Sequence, residues 1–201
     1  MKKFLPWIIV AVVVFGIYSW AKGFNNTAVN LKETATKTWG DVESSYQRRN
    51  DLIGNLVKTV QGAADFEKST LEAVIKARSE ASKPEIKINN VGDLTAEKLQ
   101  AFNQAQSGLS SALSRLLVTV ERYPDIKANQ NFLELQSQLE GTENRINVAR
   151  DRFNEAVEPY NKHIKTFPNS ILAGILNFDD MSYYKAEAGS EKAPDVNFDF
   201  K

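Results

Sequence analysis

Cysteine is absent from this chain of 201 residues, and histidine occurs once. A chain without cysteine forms no disulfides, performs no thiol chemistry and holds no zinc or iron–sulfur cluster through sulfur. A single imidazole cannot build a histidine-rich metal site. Glycine and proline, at 10 and 6 residues, are too few for a low-complexity chain or a turn-rich all-β domain.

The chain also has no excess of charge of one sign. Its 25 basic and 25 acidic residues give a formal net charge of zero. A broad nucleic-acid-binding surface needs a basic excess, so we predict no nucleic-acid partner. The sequence contains no P-loop, GxGxxG or HExxH motif. We therefore predict no cofactor and no metal.

Charged residues are missing altogether between Phe4 and Ala21, a run of 18 mostly apolar residues. As a helix this run is ~27 Å long, which is close to the ~30 Å thickness of a bilayer's hydrocarbon core. Trp7 lies near one end and Trp20 near the other, as is typical of a helix that meets both membrane interfaces. The run predicts a single N-terminal transmembrane helix, with residues 1–25 as the membrane anchor.

The charges around the anchor predict its orientation. Lys2 and Lys3 favour a cytoplasmic amino terminus, which places the remainder of the chain on the periplasmic or extracytoplasmic side. A cleaved signal peptide is the competing interpretation, because Ser19 and Ala21 provide small residues at the −3 and −1 positions of a cleavage site. A buried helix of a soluble domain is a third possibility.

The rest of the chain shows apolar residues in alternating steps of three and four, the pattern of one helix face. The clearest stripe predicts a helix over residues 131–167, capped at its start by Asn129 or Asn131 and ended by Pro168. Pro159 is expected to kink this helix or end it early. The stripe consists of Phe132, Leu135, Leu139, Thr142, Ile146, Ala149, Phe153, Ala156, Tyr160, His163 and Phe167.

Three further stripes predict helices over residues 35–60, 67–81 and 99–123, the last capped by Asp93 or Thr95. A narrow apolar stripe must pack against other helices. We therefore predict an all-α fold: an antiparallel four-helix up-and-down bundle with long helices over residues 26–178. A coiled coil is the alternative. A short apolar piece at 171–176 is expected to form one or two helical turns, and residues 179–201 a loosely held tail.

The densest polar cluster gives five candidate binding residues: Arg48, Arg49, Asp51, Asn55 and Arg78. Arg49 and Arg78 occupy apolar stripe positions, and a buried guanidinium needs a carboxylate partner. The candidate carboxylates for Arg49 are those of Glu67, Glu121, Glu140 and Glu143. The cluster is interpreted either as an inter-helix ion-pair network that sets register, or as a site for an anion or a partner peptide.

Seven segments together form a distinctive set of motifs: Trp39–Val57, Glu67–Arg78, Glu121–Ala128, Phe132–Ile146, Ala149–Asn154, Tyr160–Asn161 and Phe167–Pro168. With this set the chain resembles the LemA family from about Asn26 to Phe200. Two positions depart from the family pattern: Gly54 replaces a proline, which puts the helix kink there in doubt, and Phe153 replaces a tyrosine. The resemblance implies a membrane-anchored, all-helical bundle in the bacterial envelope without catalytic residues.

The leading functional hypothesis is a non-enzymatic scaffold that binds an envelope protein at the membrane, with a homo-oligomer as one possible form. The alternative is a lipid-binding or membrane-remodelling module that uses Arg48 as a headgroup contact. An enzyme acting through Arg48, Asp51 and His163 has no recognisable nucleophile and base pair. His163 lies on an apolar stripe and is interpreted as a satisfied core or edge histidine.

Overall fold

The computed structural model describes residues 4–62, 66–83 and 94–185, and within these ranges it contains helices and no strand. The predicted all-α class is confirmed. The described ranges contain six helices: the four expected long ones, the short one expected at 171–176, and one further short helix that was not expected. They are α1 (Leu5–Gln61), α2 (Lys68–Ala81), α3 (Ala96–Val120), α4 (Pro124–Lys127), α5 (Gln130–Lys165) and α6 (Asn169–Leu176).

Helix α1 joins the apolar N-terminal segment to the folded part of the chain without a break. Its 57 residues correspond to about 85 Å of helix. Residues 4–19 are all exposed, and the first buried side chain is that of Phe24. Among the described residues, α1 is the one helix that is long and apolar enough to cross a membrane. The two ends of α1 therefore lie in different surroundings.

Helices α1 and α5 run antiparallel along a shared seam. The Phe24 ring stacks on His163 at 5.0 Å between centroids, while Arg49 pairs with Glu143 further along. The cap of α5 is Asn129, whose side chain accepts hydrogen bonds from the amides of Asn131 and Phe132. Thr95 caps α3 in the same way. Both capping predictions are confirmed, whereas Asp93 lies outside the described residues.

The expectation that Pro159 ends α5 early was wrong, because the helix continues to Lys165. Pro159 is exposed, and the carbonyl that its ring leaves without an amide donor belongs to Glu155, which is also exposed. Water can satisfy that carbonyl. Val157 and Tyr160 on either side are buried and hold the helix in place.

Two groups of buried apolar side chains lie one after the other along the helices. The near core surrounds Phe24, Trp39, Phe102 and Phe153, and so lies next to the apolar segment. The far core contains Leu56, Val60, Leu71, Leu109, Leu116 and Phe132. The 14 residues of α2 contribute to the far core alone.

The segment after α6 is packed where a loose tail was expected. Met181 and Tyr184 are buried in the near core. Asn161 holds Met181 through two hydrogen bonds of 2.9 Å to its amide and carbonyl, and Asn154 holds Tyr184 in the same way at 2.8 and 2.9 Å. These asparagine side chains satisfy backbone N–H and C=O groups that would otherwise need hydrogen bonds from a neighbouring strand. Residues 186–201, the remainder of the predicted tail, lie outside the described residues.

Candidate functional site

Arg49 is the centre of a buried polar cluster between the two cores. Its side chain is 3% exposed, and its guanidinium lies 4.9 Å from the centre of the Tyr46 ring. Nη1 donates to Glu143 on α5 at 2.9 Å and to Ser110 on α3 at 3.3 Å. Nη2 donates to the side-chain oxygen of Gln106 on α3. Of the four candidate carboxylates, the structure places Glu143 against Arg49.

Helix α2 is hydrogen-bonded to α1 and α3 next to this cluster. Arg78 Nε donates to the carbonyl of Asn50 at 2.9 Å, and the Asn50 amide donates to Ser82 at 3.3 Å. Gln106 donates to the Ala81 carbonyl at 3.5 Å. Residues from α1, α2, α3 and α5 therefore meet in one polar layer, which we define as Arg49, Asn50, Arg78, Gln106 and Glu143.

Because Gly54 has no side chain, the Arg78 guanidinium can pack directly against α1 at this position. A Cβ at position 54 would come within 3.1 Å of the guanidinium carbon of Arg78. Helix α1 runs through Gly54 to Gln61 without ending. The glycine lets the arginine side chain cross closely over α1 and reach the Asn50 carbonyl.

The other candidate residues lie on the surface. Arg48, Asp51 and Asn55 are exposed on one face of α1. Together with Arg145 of α5 they line an open cavity with a volume of about 620 Å³. Asp51 accepts a hydrogen bond from Gln47 at 3.1 Å. Of the five candidates, only Arg49 is buried. Arg78, although expected on an apolar stripe, is exposed and lines a second open cavity of about 450 Å³ together with Asp51 and Asn55.

A pair of buried tyrosines in the near core lies next to the polar layer. The hydroxyls of Tyr46 and Tyr184 lie 2.8 Å apart, and the Arg150 guanidinium lies 3.8 Å from the centre of the Tyr184 ring. Burial raises the pKa of Tyr46 above its ordinary value of 10.0. Burial, followed by the neighbouring Tyr46, raises the pKa of Tyr184 still more strongly.

The tyrosine pair predicts a loss of stability at alkaline pH. A raised pKa means that the folded state keeps protons that the unfolded state loses, so the contribution of the tyrosine pair to the free energy of unfolding is constant below about pH 10 and falls above it. The slope reaches about 1.4 kcal/mol per pH unit for each such tyrosine. Urea unfolding of Tyr184→Phe should show a shallower decline than the unaltered chain. The exposed Tyr183 provides the control, since Tyr183→Phe should leave the slope unchanged.

His163 lies far from this cluster. Its Nε2 is 3.1 Å from the Phe24 carbonyl, and its Nδ1 is 3.4 Å from the Asn169 amide nitrogen. Phe24 and Arg48 are 24 residues apart on one continuous helix, which is about 36 Å. Arg48, Asp51 and His163 therefore do not meet at one site.

The sequence reasoning missed Gln106 and Tyr184 as members of the cluster. Gln106 carried a signal, because it is a polar residue at a position of the α3 stripe that is otherwise apolar. Tyr184 carried a weaker sequence signal, because it is an aromatic residue in a segment that was interpreted as a loosely held tail. The pairing of Asn154 and Asn161 with backbone groups 30 and 20 residues later has no local sequence signal.

The chain is similar in sequence to a known family and to several named proteins. A model of the LemA family matches residues 38–198. Magnetosome protein MamQ 2 of Paramagnetospirillum magneticum is 28% identical over 180 residues, which are 83% of this chain and 66% of that protein. Magnetosome protein MamQ of Magnetospirillum gryphiswaldense is 29% identical over 173 residues, 79% of this chain and 64% of the relative.

Protein LemA of Metamycoplasma hominis is 20% identical over 187 residues, which cover 92% of this chain and 80% of that protein. The chain spans about two thirds of the length of the two magnetosome relatives. The family model covers most of the chain, including all of α2 to α6 and the polar layer. The chain therefore belongs to the LemA family.

Proposed function

We propose that this protein is a non-enzymatic, single-pass membrane protein of the bacterial envelope whose helical bundle binds partner proteins. The observation that carries the proposal is helix α1, which passes from an exposed apolar segment into a buried core without a break. Burying that segment in a bilayer removes its apolar side chains from water, which is favourable. The continuous helix then holds the bundle next to the membrane surface.

The folded part is proposed to be one antiparallel bundle of α1, α2, α3 and α5. The support for this arrangement is the polar layer, in which side chains of all four helices exchange hydrogen bonds at one level. A buried polar cluster of this kind favours one register of the helices over others.

The partner-binding surface is proposed to be the exposed face of Arg48, Asp51 and Asn55. It carries both signs of charge on a rigid helix, and Arg145 extends it onto α5. Such a face suits a protein segment of complementary charge, because an arginine presents a planar fork of donors to a carboxylate. A second copy of the chain is one form that the partner can take.

The topology can be tested by cysteine labelling, because the chain has no cysteine of its own. We expect Val118→Cys, at an exposed position of α3, to react with a membrane-impermeant maleimide in intact spheroplasts. Lys3→Cys should react only after lysis, since the positive-inside rule places it in the cytoplasm. The reverse pattern would place the bundle in the cytoplasm, and a labelled soluble product would show that the anchor is removed.

Partner binding can be tested with a photo-crosslinking residue at position 55 of the full chain in cells, which leaves Arg48 in place. We expect a discrete crosslinked product whose yield falls about tenfold when Asp51→Lys reverses the neighbouring charge. The control is the same crosslinker at position 118, which lies on α3 away from the proposed surface. Equal products at both positions, or no effect of Asp51→Lys, would contradict the assignment of this face.

A further inference from the structure

Helix α6 presents an apolar edge to solvent although it lies against a folded core. Ile171 is 52% exposed, Ile175 68% and Leu176 45%, and the preceding Phe167 is 78% exposed. Phe167 had been expected on the buried stripe of α5, so its exposure is a correction. The 13 residues from Thr166 to Phe178 contain no charged side chain. The side of α6 that faces the protein is held by the buried Ala173 and the half-buried Leu172.

Direct contacts place α6 beside the end of the proposed membrane span. The Trp20 indole N–H donates to the Asn169 side-chain oxygen at 3.2 Å. The Phe24 ring meets Phe178 edge-on at 5.6 Å, just after α6 ends. Both ends of α6 are therefore fixed to the stretch of α1 between Trp20 and Phe24.

The exposed edge of α6 and the exposed apolar segment of α1 form neighbouring apolar surfaces. From Leu5 to Trp20 α1 rises about 22 Å, so Trp20 stands close to one interface if the segment spans the bilayer. Tryptophan is enriched at that depth. A short uncharged helix at the same level lies where lipid headgroups meet acyl chains.

We infer that α6 is a second membrane contact, an interfacial helix whose Phe167, Ile171 and Ile175 edge is immersed in the outer boundary of the acyl chains. The occupant of this surface is lipid, because the surface adjoins a segment for which a bilayer is the matching environment. Lacking cationic residues, α6 does not require anionic headgroups. A two-point attachment also restricts how far the bundle tilts on its single transmembrane helix. The inference rests on the proposed insertion of residues 4–21.

The test uses the full chain with one introduced cysteine, labelled with an environment-sensitive fluorophore and reconstituted in phosphatidylcholine vesicles. Ile175→Cys reports on α6, Val13→Cys on the span, and Val118→Cys, 72% exposed beside the far core, is the matched control. All three positions are exposed, so the substitutions do not disturb a core. Quenching by a lipid nitroxide near the ester end of the acyl chain is expected to be about threefold stronger at Ile175 than at Val118.

The possible outcomes separate this inference from the proposed function. Strong quenching at Val13 by a nitroxide deep in the acyl chain, with Ile175 quenched only by aqueous iodide, would overturn the interfacial helix and leave the anchor intact. Failure at Val13 would overturn the anchor itself. Shielding of Ile175 from iodide that depends on the protein-to-lipid ratio, without lipid quenching, would assign the surface to a second copy and reject lipid.

Discussion

Replacing Glu143 with alanine should lower the free energy of unfolding by about 2–3 kcal/mol, because it leaves the buried Arg49 cation without its carboxylate. Gln106 and Ser110 still accept hydrogen bonds from the guanidinium, but neither neutralises its charge. The Glu143 side chain is 47% exposed, so water can enter its place, which keeps the cost below that of a fully buried pair. Urea unfolding followed by circular dichroism in one detergent measures the difference.

The double variant Arg49→Met with Glu143→Ala separates two causes of the lost stability: the loss of the Arg49–Glu143 contact, and the cost of leaving the buried Arg49 charge unpaired. Methionine fills part of the arginine's volume without a charge, so the double variant should be more stable than Glu143→Ala alone. Glu140→Ala, one turn away on the exposed side of α5, is the control and should stay within about 0.5 kcal/mol of the unaltered chain. Unchanged stability of Glu143→Ala together with lost crosslinking at position 55 would favour the binding-site interpretation of the arginine cluster.

Replacing Phe153 with alanine should cost about 3–5 kcal/mol, the largest effect expected of any substitution considered. Phe153 is completely buried, and its ring meets that of Trp39 edge-to-face at 5.2 Å. Trp39 also meets Phe102, so one truncation opens a cavity where α1, α3 and α5 come together. The surrounding long helices can close this cavity only in part.

Val148→Ala on the same helix provides the control, because Val148 is half exposed and alanine is the better helix former. Its stability should equal or slightly exceed that of the unaltered chain. Phe153→Tyr tests the departure from the family pattern at this position. A loss of more than about 1 kcal/mol would show that the site has no room or partner for a hydroxyl. A loss below 1 kcal/mol for Phe153→Ala would contradict a packed near core.

Much of the fold follows from local pattern. The alternating steps of three and four identified the buried faces of α1, α3 and α5, and Thr95 and Asn129 marked where two helices begin. The expectation that Pro159 ends α5 early was wrong, because the carbonyl that it leaves without a donor belongs to the exposed Glu155 and can bind water. The arginine on an apolar stripe indicated a buried guanidinium that needs a carboxylate, and its partner Glu143 was among the four candidates that the sequence offered.

The sequence by itself determined the helical class, the apolar run at the amino terminus and the need of Arg49 for a carboxylate, since each depends on residues within a few turns of one another. Only the tertiary structure decided which carboxylate Arg49 meets and that Tyr184 is buried against Tyr46. It also decided that α6 turns its apolar edge outward beside Trp20. These contacts join residues 94, 138 and 149 positions apart, and the free energy of such contacts depends on how whole helices pack.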